Sequence, residues 1–202
     1  EMYCRIAFVR HGETHWNRAR IYQGHKDEPG CQLTPEGEME AIALGKRLKS
    51  EKRSPFTKIF SSDLGRAQRT AALIHAEYNS ALPLTTDHRL RERSFGAYEG
   101  KSRDEVDTLM SNGSDLDDGE TSIEVLTRAM AAVQEIVKEN VGKSVIIVAH
   151  GGPLSVLLQT ILGLSLNDDV IFRIRNTSVS VVDLDENQNA IVHTLGDVAH
   201  LL

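Results

Sequence analysis

The 202-residue sequence predicts a three-layer α/β/α sandwich around a mostly parallel central sheet, and three observations carry that expectation. Apolar, β-branched runs alternate with segments of helical period along the chain, as strands covered on both faces by helices do. Two of the runs, Arg5-Ile6-Ala7-Phe8-Val9-Arg10 and Val145-Ile146-Ile147-Val148-Ala149, are uninterrupted enough to be strands buried on both faces. Each stops at a histidine followed by a glycine, His11-Gly12 and His150-Gly151. Open α/β sheets bind ligands at the edge where their strands end, so the two histidines mark that edge.

The elements follow in order. Thr34 provides a hydroxyl cap, Pro35 a first helical position and Glu36 an early acid. Met39, Ile42, Ala43 and Leu48 then recur at helical spacing to about Lys52. A short strand over Lys58–Ser61 leads to a helix capped by Ser62 or Asp63 and running to about Tyr78. Pro83-Leu84-Thr85 reads as an edge strand, because proline cannot donate to a central ladder. Residues 89 to 119 are the least regular part, rich in Arg, Glu, Asp and Gly, and read as a short cap or lid. An amphipathic helix spans about Ser122 to Glu139, and Gly152-Pro153 opens another to about Leu162. Val170 to Ile174, Ser178 to Leu184 and Ala190 to Leu195 read as strands, the last two joined as a hairpin by an Asp-Glu-Asn turn. No Pro/Gly/Ser-rich linker divides the chain, so residues 1–202 are read as a single domain.

Composition narrows the function. The formal charge of −6, from 23 Lys+Arg against 29 Asp+Glu, argues against nucleic acid or an anionic membrane as a partner. The cations that matter must therefore be concentrated locally. Two cysteines, Cys4 and Cys31, build no disulfide framework and fit a reducing, cytoplasmic setting. No apolar stretch approaches the ~20 residues of a membrane span, and none resembles a signal peptide. The chain opens on Glu1, which leaves a removed leader or an organellar address open.

Arg10 beside His11 places a permanent cation at the strand end, and the adjacent glycines allow close backbone approach, which together suit an anion such as phosphate. His11 and His15 at i and i+4 would suit a metal only on a helix, which Gly12 directly after a strand opposes, and no third ligand is evident. No metal or other cofactor is expected. A neutral imidazole held by one nitrogen and attacking with the other suits His11 better. Arg66, in the first turn of its helix, points a guanidinium toward the same edge and can grip two phosphate oxygens at once. Glu92 stands among Arg89, Arg91 and Arg93, ahead of Gly96 and Gly100, where a folded-over loop could present it as a proton donor to a departing alkoxide.

Six motifs in register then bring a family into view. They are Val9-Arg10-His11-Gly12-Glu13-Thr14 with Trp16-Asn17, Tyr22-Gln23-Gly24, Leu33-Thr34-Pro35-Glu36-Gly37, Ser61 to Ala71, Leu90-Arg91-Glu92 with Gly96 and Glu99-Gly100, and Val148-Ala149-His150-Gly151. From about Tyr3 to the Gly196-Asp197 and His200-Leu201 ending, the chain resembles the histidine phosphatase superfamily, with the fold of cofactor-dependent phosphoglycerate mutase.

The resemblance implies metal-independent, two-step phosphoryl transfer to and from a small phosphorylated metabolite. It assigns His11 as the nucleophile, Glu92 as the proton donor and His150 as the second histidine of the pocket. Arg10 and Arg66 match the phosphate-binding arginines, with Asn17, Gln23 and Gly151 as further contacts. Mutases of this fold are longer, with segments that close over a bisphosphorylated intermediate, whereas here only Lys101 to Gly119 is available. The expectation is therefore a phosphomonoesterase. A mutase is the first alternative, and a non-catalytic phosphate-binding module the second. A second cationic patch for a bisphosphate has only Arg89, Arg91, Arg93, Lys101 and Arg103 as candidates. The 25–33 loop is longer than the family's usual turn, so the resemblance carries over no substrate preference. The chain is expected to act as a monomer or a homodimer, the C-terminal apolar strand being a candidate pairing edge.

Overall fold

A computed structural model describes residues 2–51, 55–112, 118–166 and 172–202. In chain order the elements are β1 (Cys4–Arg10), α1 (His15–Arg18), α2 (Pro35–Ser50), β2 (Phe56–Ser61), α3 (Gly65–Tyr78) and β3 (Leu84–Thr86), then α4 (Arg103–Ser111), α5 (Ser122–Glu139), β4 (Ser144–Ala149), α6 (Gly151–Ile161), β5 (Val179–Leu184) and β6 (Ala190–Asp197). The sheet order is β3-β2-β4-β1-β5-β6. β1, β4, β2 and β3 pair in parallel, and β5 and β6 close the far side as antiparallel strands.

The strand pattern builds the layers directly. Alternate residues of β1 serve opposite faces: Cys4, Ile6 and Phe8 pack with Ala129, Val133 and Ile136 of α5 and Leu154, Leu157 and Leu158 of α6. Ala7 and Val9 pack with Leu44 and Leu48 of α2 and Ala67, Ala71 and Ile74 of α3. All six residues of β4 are buried, as an uninterrupted apolar run requires. The sheet is therefore covered by α5 and α6 on one face and by α2 and α3 on the other, the expected three-layer sandwich.

Four expectations need correcting. α3 is not capped by Ser62 or Asp63: its N-cap is Leu64, with no side-chain cap of its own. Instead the Asp27 carboxylate accepts the Gly65 N–H at 3.0 Å from 38 positions away in sequence. Within 89–119, α4 is a regular helix that buries Val106, and a 3-10 turn over Gly96–Tyr98 buries Tyr98. Residues 172–174 are irregular and join no strand, while the rest of the segment read as Val170 to Ile174 lies outside the described residues. α2 ends at Ser50, and Lys52 also lies outside them. No helix of the described residues is long and apolar enough to cross a membrane.

Candidate active site

The two His-Gly junctions meet at one sheet edge. Arg10 of β1 is registered against Ala149 of β4, so His11 and His150 are the next residues on adjacent strands. The His11 N–H donates to the Ala149 carbonyl at 3.0 Å, and the two imidazole centroids lie 5.1 Å apart. His11 is 1% exposed and His150 0%. The Nδ1 of His11 lies 2.7 Å from the Gly12 carbonyl. A carbonyl only accepts, so Nδ1 carries the proton and Nε2 presents a lone pair. Burial, reinforced by the Arg66 and Arg10 charges, holds His11 well below the usual histidine range and keeps it neutral. His150 is lowered in the same way, with burial first and Arg66 next. Its Nε2 meets Ser62 Oγ at 2.8 Å.

Gly12 serves packing more than ligand contact. Its N–H donates to Thr70 Oγ1 at 3.0 Å, and a Cβ there would press on the Gly37 carbonyl at the start of α2. The turn after the nucleophile candidate is thus wedged between α2 and α3.

The arginines converge on the same place. Arg66 is 1% exposed, and its Nη1 and Nη2 donate to the Lys26 and Gly24 carbonyls at 3.0 and 2.7 Å. Arg10 Nη1 donates to the Ile174 carbonyl at 2.6 Å. A Cβ at Gly151 would meet the Arg10 guanidinium at ordinary van der Waals distance. Burial lowers both arginines, and the Glu92 charge opposes that shift in both. Arg10 Nε, Arg66 Nε and His150 Nδ1 are buried with no partner among the described residues. Both arginine charges act on both histidines, and an anion set among these groups would satisfy nitrogens whose unpaired burial costs about 1–3 kcal/mol each.

Glu92 lies at the start of α6, where its charge acts on both Arg10 and Arg66. Its Oε1 accepts from the backbone N–H groups of Arg93 at 2.8 Å and Gly152 at 3.1 Å. Its own carbonyl accepts from Arg128 Nη2 at 2.8 Å and lies 2.7 Å from His25 Nε2. Arg128 also donates to the carbonyls of Arg89 and Arg91 and pairs with Glu120 at 2.7 Å, strapping the loop to α5. The neighbouring cations turn away: Arg89 pairs with Asp87 and Glu135, and Arg91 with Asp63, each at 2.7–2.8 Å. Arg93 donates through Nε to the Glu120 carbonyl, its guanidinium over the Phe95 ring. Arg103 stands over the Tyr22 ring on the Arg10 side.

Asn17 and Gln23 have their amide oxygens engaged. Asn17 Oδ1 accepts from the Thr14 N–H at 3.1 Å and from Asn176 Nδ2 at 3.2 Å. Gln23 Oε1 accepts from the Thr14 hydroxyl at 2.9 Å. Asn176 also donates to the His11 carbonyl at 2.9 Å. Next to it, Thr177 holds a left-handed φ of 54°, costly for a β-branched residue. Its N–H donates to the Arg10 carbonyl, and its hydroxyl meets His200 Nε2 at 3.0 Å. Sequence reasoning missed Asn176, Thr177, Arg128 and Ser62 as supports. Ser62 and Thr70 lay inside a recognised motif, whereas Asn176 and Arg128 carried no local signal.

His15 lies on α1 and His11 at a strand end, so the two never share a helical face. Among the described residues no group of three or more His, Cys, Asp or Glu side chains could hold a metal. Trp16 covers Gly30 in the longer 25–33 loop, which forms a 3-10 turn over Pro29–Cys31 and buries Cys31.

Known proteins agree with this architecture. A curated relative from Salmonella arizonae called "Probable phosphoglycerate mutase GpmB" is 37% identical over 214 residues, spanning 98% of this chain and 94% of the relative. The solved structure described as Bacillus stearothermophilus YhfR superposes with a TM-score of 0.87 at 32% identity, covering 98% of this chain and 100% of that one. A phosphoglycerate mutase from Bacillus anthracis superposes with a TM-score of 0.82 at 25% identity, covering 98% and 95%. The sequence model of the histidine phosphatase superfamily (branch 1) matches residues 6–195, and this chain belongs to that family.

Proposed function

We propose that the protein is a metal-independent phosphomonoesterase that passes the phosphoryl group of a small metabolite through His11 to water. The observation that carries this reading is the set of unpartnered buried donors, Arg10 Nε, Arg66 Nε and His150 Nδ1, beside a His11 whose Nε2 lone pair is free. A phosphoryl group set among these groups has its equatorial oxygens matched by two guanidiniums and an imidazole N–H, where transition-state charge develops. In this reading Ser62 donates to His150 Nε2, 2.8 Å away, and Nδ1 carries the proton. The Asn17 and Gln23 amides add neutral donors.

The chemistry runs in two balanced steps. The His11 Nε2 lone pair forms a P–N bond as the P–O bond to the alcohol breaks, and protonated Glu92 gives its proton to the leaving oxygen. The Glu92 carboxylate then takes a proton from water, whose oxygen attacks phosphorus. The P–N bond breaks and His11 recovers its lone pair. One carboxyl serves as acid and then base, which splits a very slow hydrolysis into two accessible steps.

Phosphatase is favoured over mutase by where the cations point. Arg89 and Arg91 are spent on Asp87, Glu135 and Asp63, so Arg10 and Arg66 supply charge for one phosphoryl group. The mutase names carried by relatives keep intramolecular transfer as the second reading. Inorganic phosphate release from a panel of phosphomonoesters in excess EDTA, for the native protein beside His11→Ala, tests the proposal. Turnover that survives EDTA and vanishes in the variant is the expected result. Native protein that releases no phosphate, or a variant that still does, overturns it.

A further inference from the structure

Beside Glu92 lies a cleft of roughly 220 Å³, open to solvent, between α5 and α6. Gly152 and Arg93, the two residues whose backbone N–H groups hold Glu92 Oε1, form part of its lining. The rest is Ser122 and Val125 of α5, Ser155, Val156 and Gln159 of α6, and Leu166. We infer that this cleft receives the alcohol portion of the substrate and selects esters of a neutral, hydroxyl-bearing alcohol with an apolar face, excluding a second phosphate. The inference rests on the phosphomonoesterase reading, in which Glu92 protonates the leaving oxygen and whatever that oxygen carries must extend past Glu92.

The wall chemistry fits that class. Val125 and Val156 are buried and offer apolar contact. Helical hydroxyls in this protein commonly bond back to their own helix, as Thr160 does to the Val156 carbonyl at 2.9 Å and Thr127 to the Ile123 carbonyl at 2.7 Å. Among the described residues Ser155 and Ser122 make no such bond, which leaves their hydroxyls to a ligand. No acidic residue lines the cleft among the described residues, and its single cation, Arg93, is tied to the Glu120 carbonyl and laid over Phe95. A phosphate dianion there would lose its hydration to one partly committed guanidinium, whereas a hydroxyl finds a serine at either wall.

The test compares methyl phosphate, which ends at the ester oxygen, with 4-hydroxybutyl phosphate and butane-1,4-diyl bisphosphate, which share one skeleton. The native protein is expected to prefer 4-hydroxybutyl phosphate over each of the others by about tenfold or more in kcat/KM, the range one pocket contact supplies. Ser155→Trp fills the cleft from α6 and Ser122→Trp from α5. Each should abolish the preference while leaving methyl phosphate within about threefold, since neither touches the phosphoryl cavity. Equal losses on both monoesters, no loss on either, or a native preference for the bisphosphate overturns the inference. Calorimetric binding of 4-hydroxybutylphosphonate and methylphosphonate needs no turnover. Tighter binding of the longer phosphonate, lost in both Trp variants, with no ester hydrolysed would leave the cleft standing and sink the hydrolase; equal binding would sink the cleft. Variants that fail to melt cooperatively are replaced by Ser155→Leu, which narrows the same wall by less.

Discussion

Glu92 is placed by the absence of a side chain elsewhere: any Cβ on Gly152 would collide with its Oε1. Gly152→Ala should therefore expel the carboxylate from the α6 N-terminus and lower kcat by about 10²–10⁴, the usual worth of a positioned acid–base group. Alanine suits a helix better than glycine, so the melting temperature should hold or rise while activity falls, and activity kept at the native level would refute the placement. Asn176 makes a parallel case for binding. Asn176→Ala frees Asn17 Oδ1 and the His11 carbonyl, and inorganic phosphate should bind about three- to tenfold more weakly, as expected for one or two lost hydrogen bonds. Isothermal titration checks this. The residues of the candidate site were legible in the sequence because each sits in a motif at a strand or helix end. Asn176 was not, because its role depends on a contact 159 positions away.

Among the elements, α5 does two jobs, and only one shows in its sequence. Its apolar period predicts a helix that buries Val125, Ala129, Ala132, Val133, Ile136 and Val137, which is what forms. Arg128 lies off that stripe and reads as a solvated charge, yet its guanidinium holds three carbonyls of the 89–92 loop and Glu120. Arg128→Met keeps the packing volume and removes those bonds. It should cost about 2–3 kcal/mol in urea unfolding and lower kcat through Glu92, whereas Arg128→Lys should recover only part of the activity because an ammonium cannot match the fork. An unchanged kcat would show that the loop holds itself. α4 escaped the sequence reading although Val106, Leu109 and Met110 recur at i, i+3 and i+4, because the charged and glycine residues around this nine-residue span made the whole segment read as irregular. The run ending at Ile174 misled in the opposite direction, since its β-branched residues resemble a strand, while the Ile174 carbonyl is committed to Arg10.

At the scale of the whole molecule, the site makes stability depend on pH. His11 and His150 are held well below the usual value of 6.5, and His200 is pushed down to about 4 by burial and Arg47. Unfolded, all three take a proton near pH 6.5; folded, they refuse it until lower pH. The unfolded state therefore binds more protons, and stability falls as pH drops below 6.5 toward about 4. Each fully buried histidine contributes a slope approaching about 1.4 kcal/mol per pH unit there. Urea unfolding at pH 7, 6 and 5 measures it. His11→Asn should flatten the slope, and a flat native profile would contradict neutral buried histidines. The layered fold and the central place of β1 and β4 followed from two apolar runs, whereas this coupling did not, because burial of a histidine is a property of the assembled core.

The His11 amide belongs to the ladder between two central strands, so its hydrogen should exchange with solvent only when the entire molecule opens. The segment carrying Glu92 is held by side chains from α5 and by His25, and its amides should exchange through smaller, local openings. His11 is thus as permanent as the fold, and Glu92 can come and go within it.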